Sequence, residues 1–173
     1  TGRSDAASRF APAIETELAD LALEGTRVEI DISQRPAESD GVEVAETGSV
    51  PAGRYSFDAS GIDAVDLLIA PNRGEPLRPA AKTASGGETS RLMLAIKTVL
   101  TAADAIPTLV FDEVDSGVGG RLGATVGQKL SALSHEHQVL CVTHLPQIAA
   151  VADRHILVRK NVSDGRTVTS VEM

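Results

Sequence analysis

The chain has 173 residues, 42% hydrophobic and 23% charged, with a formal net charge of −8; that length fits one domain with a real core. No apolar run approaches the roughly 20 residues of a membrane span, the N-terminal "TGRSDAASRF" has no signal-peptide stretch, and a lone cysteine, Cys141, excludes an internal disulfide framework. The acidic balance lacks the basic footprint of a duplex DNA binder, so if the parent protein acts on DNA, most phosphate contacts come from other segments.

Residues 3–24 predict a helix: Phe10, Ile14, Leu18, Leu21 and Ala22 recur at three- and four-residue steps, and Gly25 stands where it would stop. In "TRVEIDIS", Val28, Ile30 and Ile32 alternate with Arg27, Glu29 and Asp31, the pattern of a half-buried strand. Residues 34–61 are polar and rich in Gly, Pro and Ser, with short strands predicted at "GVEVAE" and "RYSFDA". They read as a β-meander or an insertion without direct catalytic duty. "AVDLLIAP" predicts a further strand, closed by "PNRGEP". These strands predict an antiparallel sheet in the first half.

The second half alternates helix and strand. Helices are predicted over 86–103 (Leu92, Ala95, Ile96, Val99, Leu100) and 119–134 (Leu122, Val126, Leu130, Leu133). "TLVF" and "QVLCVT" read as buried strands, and "LPQIAAVA" as a short helix with Pro146 in its first turn. "RHILVRK" and "RTVTSVE" predict strands joined by "SDG". Such alternation predicts a parallel α/β sheet.

Ligands of open α/β sheets gather beyond the carboxyl ends of the strands. One strand here ends in Asp112 and Glu113, the other in His144. An Asp can hold magnesium directly or through water. A neighbouring Glu can orient or deprotonate a water, worth roughly 10²–10⁴-fold in rate. A His can hydrogen-bond a γ-phosphate. The bland alternatives are a polar turn for the carboxylates and a helix cap for His144. His135 and His137 read as solvated loop residues, and Cys141 as a small buried apolar residue.

In "TASGGETSR", Ser85 and Glu88 fit a capping box. Gly86 and Gly87 do not follow from that alone, because glycine costs up to about 1 kcal/mol against alanine in a helix. They fit a helix start that a phosphate must approach closely. The usual phosphate cradle, G-x-x-x-x-G-K-[ST], is absent from the sequence. Lys82, Lys97, Lys129 and Lys160 follow Ala81, Ile96, Gln128 and Arg159, so no Gly-Lys pair occurs.

Together these residues resemble an ABC-type ATPase: "SGGE" its signature motif, "TLVFDE" its Walker B strand, "VDSG" its D-loop and "VTH" its switch-histidine motif. Over residues 63–160, "KTASGGETSRLMLAIK", "FDEVDSGVGG" and "VTHLPQIAAVADRHILVRK" resemble the RecN family of SMC-like bacterial DNA-repair ATPases. The resemblance implies an α/β fold, the C-terminal lobe of a P-loop NTPase head of ABC/SMC type. That lobe has a mainly parallel sheet flanked by helices and an antiparallel portion in its first half. Residues 1–25 would be the helix at the root of the coiled coil and 26–70 a β-rich part with the variable insertion 34–61. Residues 80–173 would hold the signature helix, Walker B, D-loop and switch-histidine core.

The resemblance further implies a split site. Asp112 would coordinate Mg²⁺ and Glu113 would polarise the attacking water. His144 would contact the γ-phosphate of ATP. Ser85, Gly86, Gly87 and Glu88 would cap the nucleotide of the opposite head, and Asp115, Ser116 and Gly117 would line the head–head contact, with Arg91 a weaker candidate there. The implied partners are an N-terminal Walker A lobe of the same protein, a second head in a homodimer, and DNA through the full-length protein, in cytoplasmic repair and recombination with no membrane. Alone, the chain would not hydrolyse ATP. The alternatives are a non-catalytic interaction module and a Mg²⁺-dependent phosphoesterase using Asp112, Glu113 and Asp115, which needs a further acidic residue on another strand end.

Overall fold

The computed structural model describes residues 2–48, 50–82, 86–163 and 166–173. Its contacts divide into two compact units, Thr1–Ser85 and Gly86–Met173.

In the first unit, α1 (Gly2–Asp20) buries Ile14 and Leu18. With Leu21 they form a core that also takes in Val28, Ile69 and Ala70. β1 (Arg27–Gln34) runs antiparallel to β4 (Asp63–Ala70), with Val28 opposite Ile69 and Ile30 opposite Leu67. The two short strands β2 (Val42–Val44) and β3 (Gly53–Tyr55) form a separate antiparallel pair inside the 34–61 region. β5 (Arg78–Pro79) adds to the free edge of β4, and a 3-10 turn follows at Ala80–Lys82. Glu15 accepts the Val28 N–H at 2.7 Å, joining helix to strand.

The helix stops earlier than Gly25 suggests. It ends at Asp20, Ala22 takes the left-handed conformation (φ 56), and the Leu23 N–H reaches back to the Leu18 carbonyl at 3.0 Å. That is a helix-terminating turn made without glycine at its left-handed position. Gly25 (φ 86) serves the next bend into β1.

In the second unit, α2 (Gly86–Leu100) precedes β6 (Thr108–Phe111), α3 (Gly120–Leu133) and β7 (Gln138–Cys141). β6 and β7 are parallel, with Leu109 opposite Val139 and Phe111 opposite Cys141. Leu92, Leu94, Ala95, Leu109, Phe111, Val126, Leu130 and Leu133 supply the core. α4 (Pro146–Ala149) begins with Pro at its start and packs on α3. Gly123 and Gly127 of α3 make that approach possible: a Cβ on Gly127 would lie 3.1 Å from Val151 Cγ2 and 3.2 Å from the Gln147 carbonyl oxygen. β8 (Leu157–Ser163) and β9 (Arg166–Glu172) pair antiparallel. The predicted turn between them falls on residues 164–165, outside the described residues.

Two expectations change here. β6 and β7 are half-buried rather than buried: Val110 is 67% exposed, Leu140 48% and Val142 61%, so one face of the parallel pair is bare and apolar. His137 is not a solvated loop residue. It is 6% exposed, because its N–H folds back to the Leu133 carbonyl at 3.0 Å and its ring Nδ1 lies 2.7 Å from the Ile106 carbonyl.

Candidate functional site

Leu109 and Phe111 anchor β6 in the core, and the chain leaves the strand at Asp112. The parallel ladder continues one residue beyond β7, with the Val142 N–H donating to the Phe111 carbonyl at 2.9 Å. Residues 142–144 therefore run beside 112–113, at the carboxyl ends of two adjacent strands. Asp112 and Glu113 are exposed. The backbone turns at Glu113, whose φ of 58 lies in the left-handed region. A non-glycine residue there costs roughly 1–2 kcal/mol, a strain that functional sites often retain. The turn closes through Ser116 N–H to the Glu113 carbonyl (2.9 Å) and Val118 N–H to the Asp115 carbonyl (3.0 Å), with Gly117 at φ 71.

α2 braces this turn. Ser90 donates its hydroxyl to the Asp112 carbonyl at 2.6 Å, and Arg91 donates through Nη1 to the Ser116 carbonyl at 2.8 Å. A methyl on Gly86 would overlap Glu113 Oε2, so this carboxylate lies against the first turn of α2, where the helix dipole favours negative charge. A methyl on Gly87 would lie 2.7 Å from Ser116 Cβ and 3.1 Å from its carbonyl oxygen. The glycines thus meet a demand from their own chain, whatever ligand they also admit. Glu88 lies half-buried in the first turn of α2. Ser85 lies outside the described residues. Arg91 differs from its sequence expectation. It is 9% exposed and faces its own chain's turn, because it falls on the Gly87–Ala95 stripe of α2 that packs inward.

Asp115 is 3% exposed. Its Oδ2 accepts the Thr143 hydroxyl and the His144 N–H (2.9 Å), and lies 3.1 Å from His144 Nδ1. Burial pushes the Asp115 carboxyl up, but the hydrogen bonds from Thr143 and the His144 N–H, with the nearby imidazole, outweigh it and leave it below the ordinary carboxylate value. Thr143 Oγ1 in turn accepts the Leu145 N–H at 3.0 Å. The His144 side chain is 73% exposed above this clamp. Ser116 and Gly117 are exposed beside it. Cys141, one strand residue below, has its thiol pushed up to about 11, by burial first and then by Asp115 and Asp112.

The arrangement puts two exposed carboxylates and one exposed imidazole on a single strand-end edge, each held through its backbone and the imidazole also facing Asp115 through Nδ1. Asp112 with exposed neighbours fits a magnesium ion that takes one protein carboxylate and fills its other positions with water and phosphate oxygens. Among the described residues no three His, Cys, Asp or Glu side chains come together as an all-protein metal site, and Asp115, the third carboxylate of a phosphoesterase, is committed to the 143–144 loop. Sequence reasoning missed Ser90, Thr143 and the inward role of Arg91. Only Arg91 left a signal, being a cation four residues from both Gly87 and Ala95.

No family model matches the chain. The DNA repair protein RecN of Streptomyces coelicolor is 47% identical over 169 residues, 97% of this chain and 28% of that protein. The DNA repair protein RecN of Bacillus subtilis is 40% identical over 96% of this chain and 28% of its own length. Among solved structures, the Smc head domain with an extended coiled coil from Pyrococcus furiosus, bound to the C-terminal domain of ScpA, superposes with a TM-score of 0.55 at 19% identity. The match covers 98% of this chain and 35% of that one. The Smc head domain with a coiled coil and joint from Pyrococcus yayanosii gives 0.55 at 20% identity, over 97% and 27%. These structures share the fold, an SMC-type ATPase head lobe. The described residues contain no helix long and apolar enough to cross a membrane. The chain spans a little over a quarter of the curated relatives it matches, and it belongs to the RecN family, as the C-terminal lobe of its ATPase head.

Proposed function

We propose that this chain is the half of an ATPase head that carries the hydrolytic carboxylates, working in DNA double-strand break repair and recombination in the bacterial cytoplasm, at the nucleoid. The observation that carries the proposal is the convergence of exposed Asp112, Glu113 and His144 on the carboxyl edge of β6 and β7, in a chain with no phosphate cradle of its own. The bare apolar face of Val110, Leu140 and Val142 supports it, because a sheet face of this kind calls for another layer. An N-terminal Walker A lobe of the same protein supplies that layer and the cradle.

In the completed head Asp112 would hold Mg²⁺, which would supply charge neutralisation at the phosphates of ATP. Glu113 orients the attacking water and accepts its proton, and its approach to Gly86 at the start of α2 keeps it aimed. His144 reaches the γ-phosphate while Asp115 fixes its backbone and ring. The Gly86–Gly87 helix start, with Ser85 and Glu88, caps the nucleotide of a second head. Ser116 and Gly117 line the contact between the two heads. With a net charge of −8, this lobe leaves most DNA contacts to the rest of the protein.

The test is reconstitution. The chain alone should show no ATP turnover, and fusion to a Walker A lobe should restore it. Glu113→Gln in the fused protein should abolish turnover while leaving ATP-dependent dimers in sedimentation. Robust hydrolysis by the chain alone refutes the split site.

A further inference from the structure

Arg91 has no role in the mechanism above, yet its position is costly. A guanidinium 9% exposed loses most of its hydration, and its Nε has no protein partner among the described residues. Burial pulls its pKa down, partly offset by Glu88. A methionine would fill the same place on α2 at less cost. What arginine adds, among the described residues, is a charge-assisted bond from Nη1 to the Ser116 carbonyl at 2.8 Å.

That carbonyl is the keystone of the 112–117 turn. The N–H of the same residue bonds the Glu113 carbonyl, and the preceding residue is Asp115, which clamps Thr143 and His144. Ser90, next to Arg91, holds the Asp112 carbonyl. Gly87 leaves the space in which Ser116 sits.

We infer that Arg91 is a positioning residue acting in cis: it seats the turn that aims Glu113 and His144 of its own head, rather than reaching the nucleotide of the opposite head. The inference rests on the proposed ATPase reading. It makes the helix that begins with the signature glycines a support for the site on its own lobe.

Mixed dimers of the full-length protein separate cis from trans. One copy carries Glu113→Gln, so only the other head's carboxylate can turn over. Arg91→Met placed in the copy with intact Glu113 should lower the remaining kcat at least tenfold, with KM for ATP changed less than twofold. Arg91→Met placed in the Glu113→Gln copy should lower that remaining turnover by no more than about twofold, the effect of Ser116 and Gly117 at the head–head contact. Arg91→Lys, which keeps one donor, should give the smaller loss in the same copy, and it carries the test if the methionine variant assembles poorly. An equal or larger loss from the Glu113→Gln copy, or no loss from either copy, overturns the inference. Wild-type turnover by the Glu113→Gln homodimer would instead overturn the ATPase reading, and the inference with it.

Discussion

Replacing Asp115 with alanine tests whether its carboxylate is what holds the 143–145 segment. In the folded chain Asp115 Oδ2 takes the Thr143 hydroxyl and the His144 N–H, with the side chain 4% exposed, so solvent screens little of the interaction. Two hydrogen bonds to a charged acceptor, each at the low end of about 1.5 kcal/mol, sum to about 3 kcal/mol of local stability. That corresponds to a roughly 140-fold change in an opening equilibrium. Amide hydrogen exchange of the chain, followed by NMR, should show His144 and Leu145 losing protection by about this factor in Asp115→Ala, with the amides in the middle of α3 little changed. Asp115→Asn should fall between, because an amide oxygen still accepts both donors but without charge. The folded-state carboxyl lies below its ordinary value of 3.8, so its contribution is fully present above that value and is lost as pH falls through the folded pKa. The gap between wild type and Asp115→Asn should therefore be complete near about pH 5 and narrow only below 3.8. Unchanged exchange at His144 in Asp115→Ala would refute the clamp, and a gap that closes well above 3.8 would refute the lowered carboxyl.

Glu113→Gly and Glu113→Ala both remove the carboxylate and differ mainly at φ 58, so the glycine variant should be the more stable by about 1–2 kcal/mol in urea denaturation; equal midpoints would argue against strain there. Gly127→Ala should lower stability, since crowding Val151 and the Gln147 carbonyl costs about 1–3 kcal/mol against a helix-propensity gain of up to about 1 kcal/mol. A raised melting temperature would mean that α4 yields freely. With its thiol pushed up to about 11, Cys141 should react with iodoacetamide at neutral pH roughly tenfold more slowly than a small free thiol, the smaller thiolate fraction being partly offset by the greater nucleophilicity of a more basic thiolate, and a comparable rate would refute the burial of that sulfur.

The fold was most legible where periodicity and packing agree. The alternation of Val28, Ile30 and Ile32 marks β1, and Leu92, Ala95, Val126 and Leu130 mark two helices whose buried residues include them. Periodicity fails where an apolar run does not say how many of its faces are covered. "TLVF" and "QVLCVT" have the composition of strands buried on both sides, and one side here is open. Composition follows the finished sheet, while exposure follows the layers present. Local chain geometry is the other blind spot. Ala22 adopts a conformation expected of Gly25, and a tightly folded last turn of α3 draws His137 inward, neither of which side-chain type alone reveals.

The candidate site was legible for a different reason. Asp112, Glu113 and His144 are exposed and make few demands on the core, so their identities are left to chemistry and stand out as motif. Arg91 and Thr143 hold backbone in place, and a side chain in that position resembles packing. The same glycine can satisfy both demands: Gly87 clears Ser116 within its own lobe, and a helix start without Cβ also admits a phosphate. A motif records which residue stands at a position but not how many neighbours require it. A phenotype from changing Gly87 therefore cannot by itself identify the phosphate as the cause, whereas moving Arg91→Met between the two copies of a dimer separates the two demands.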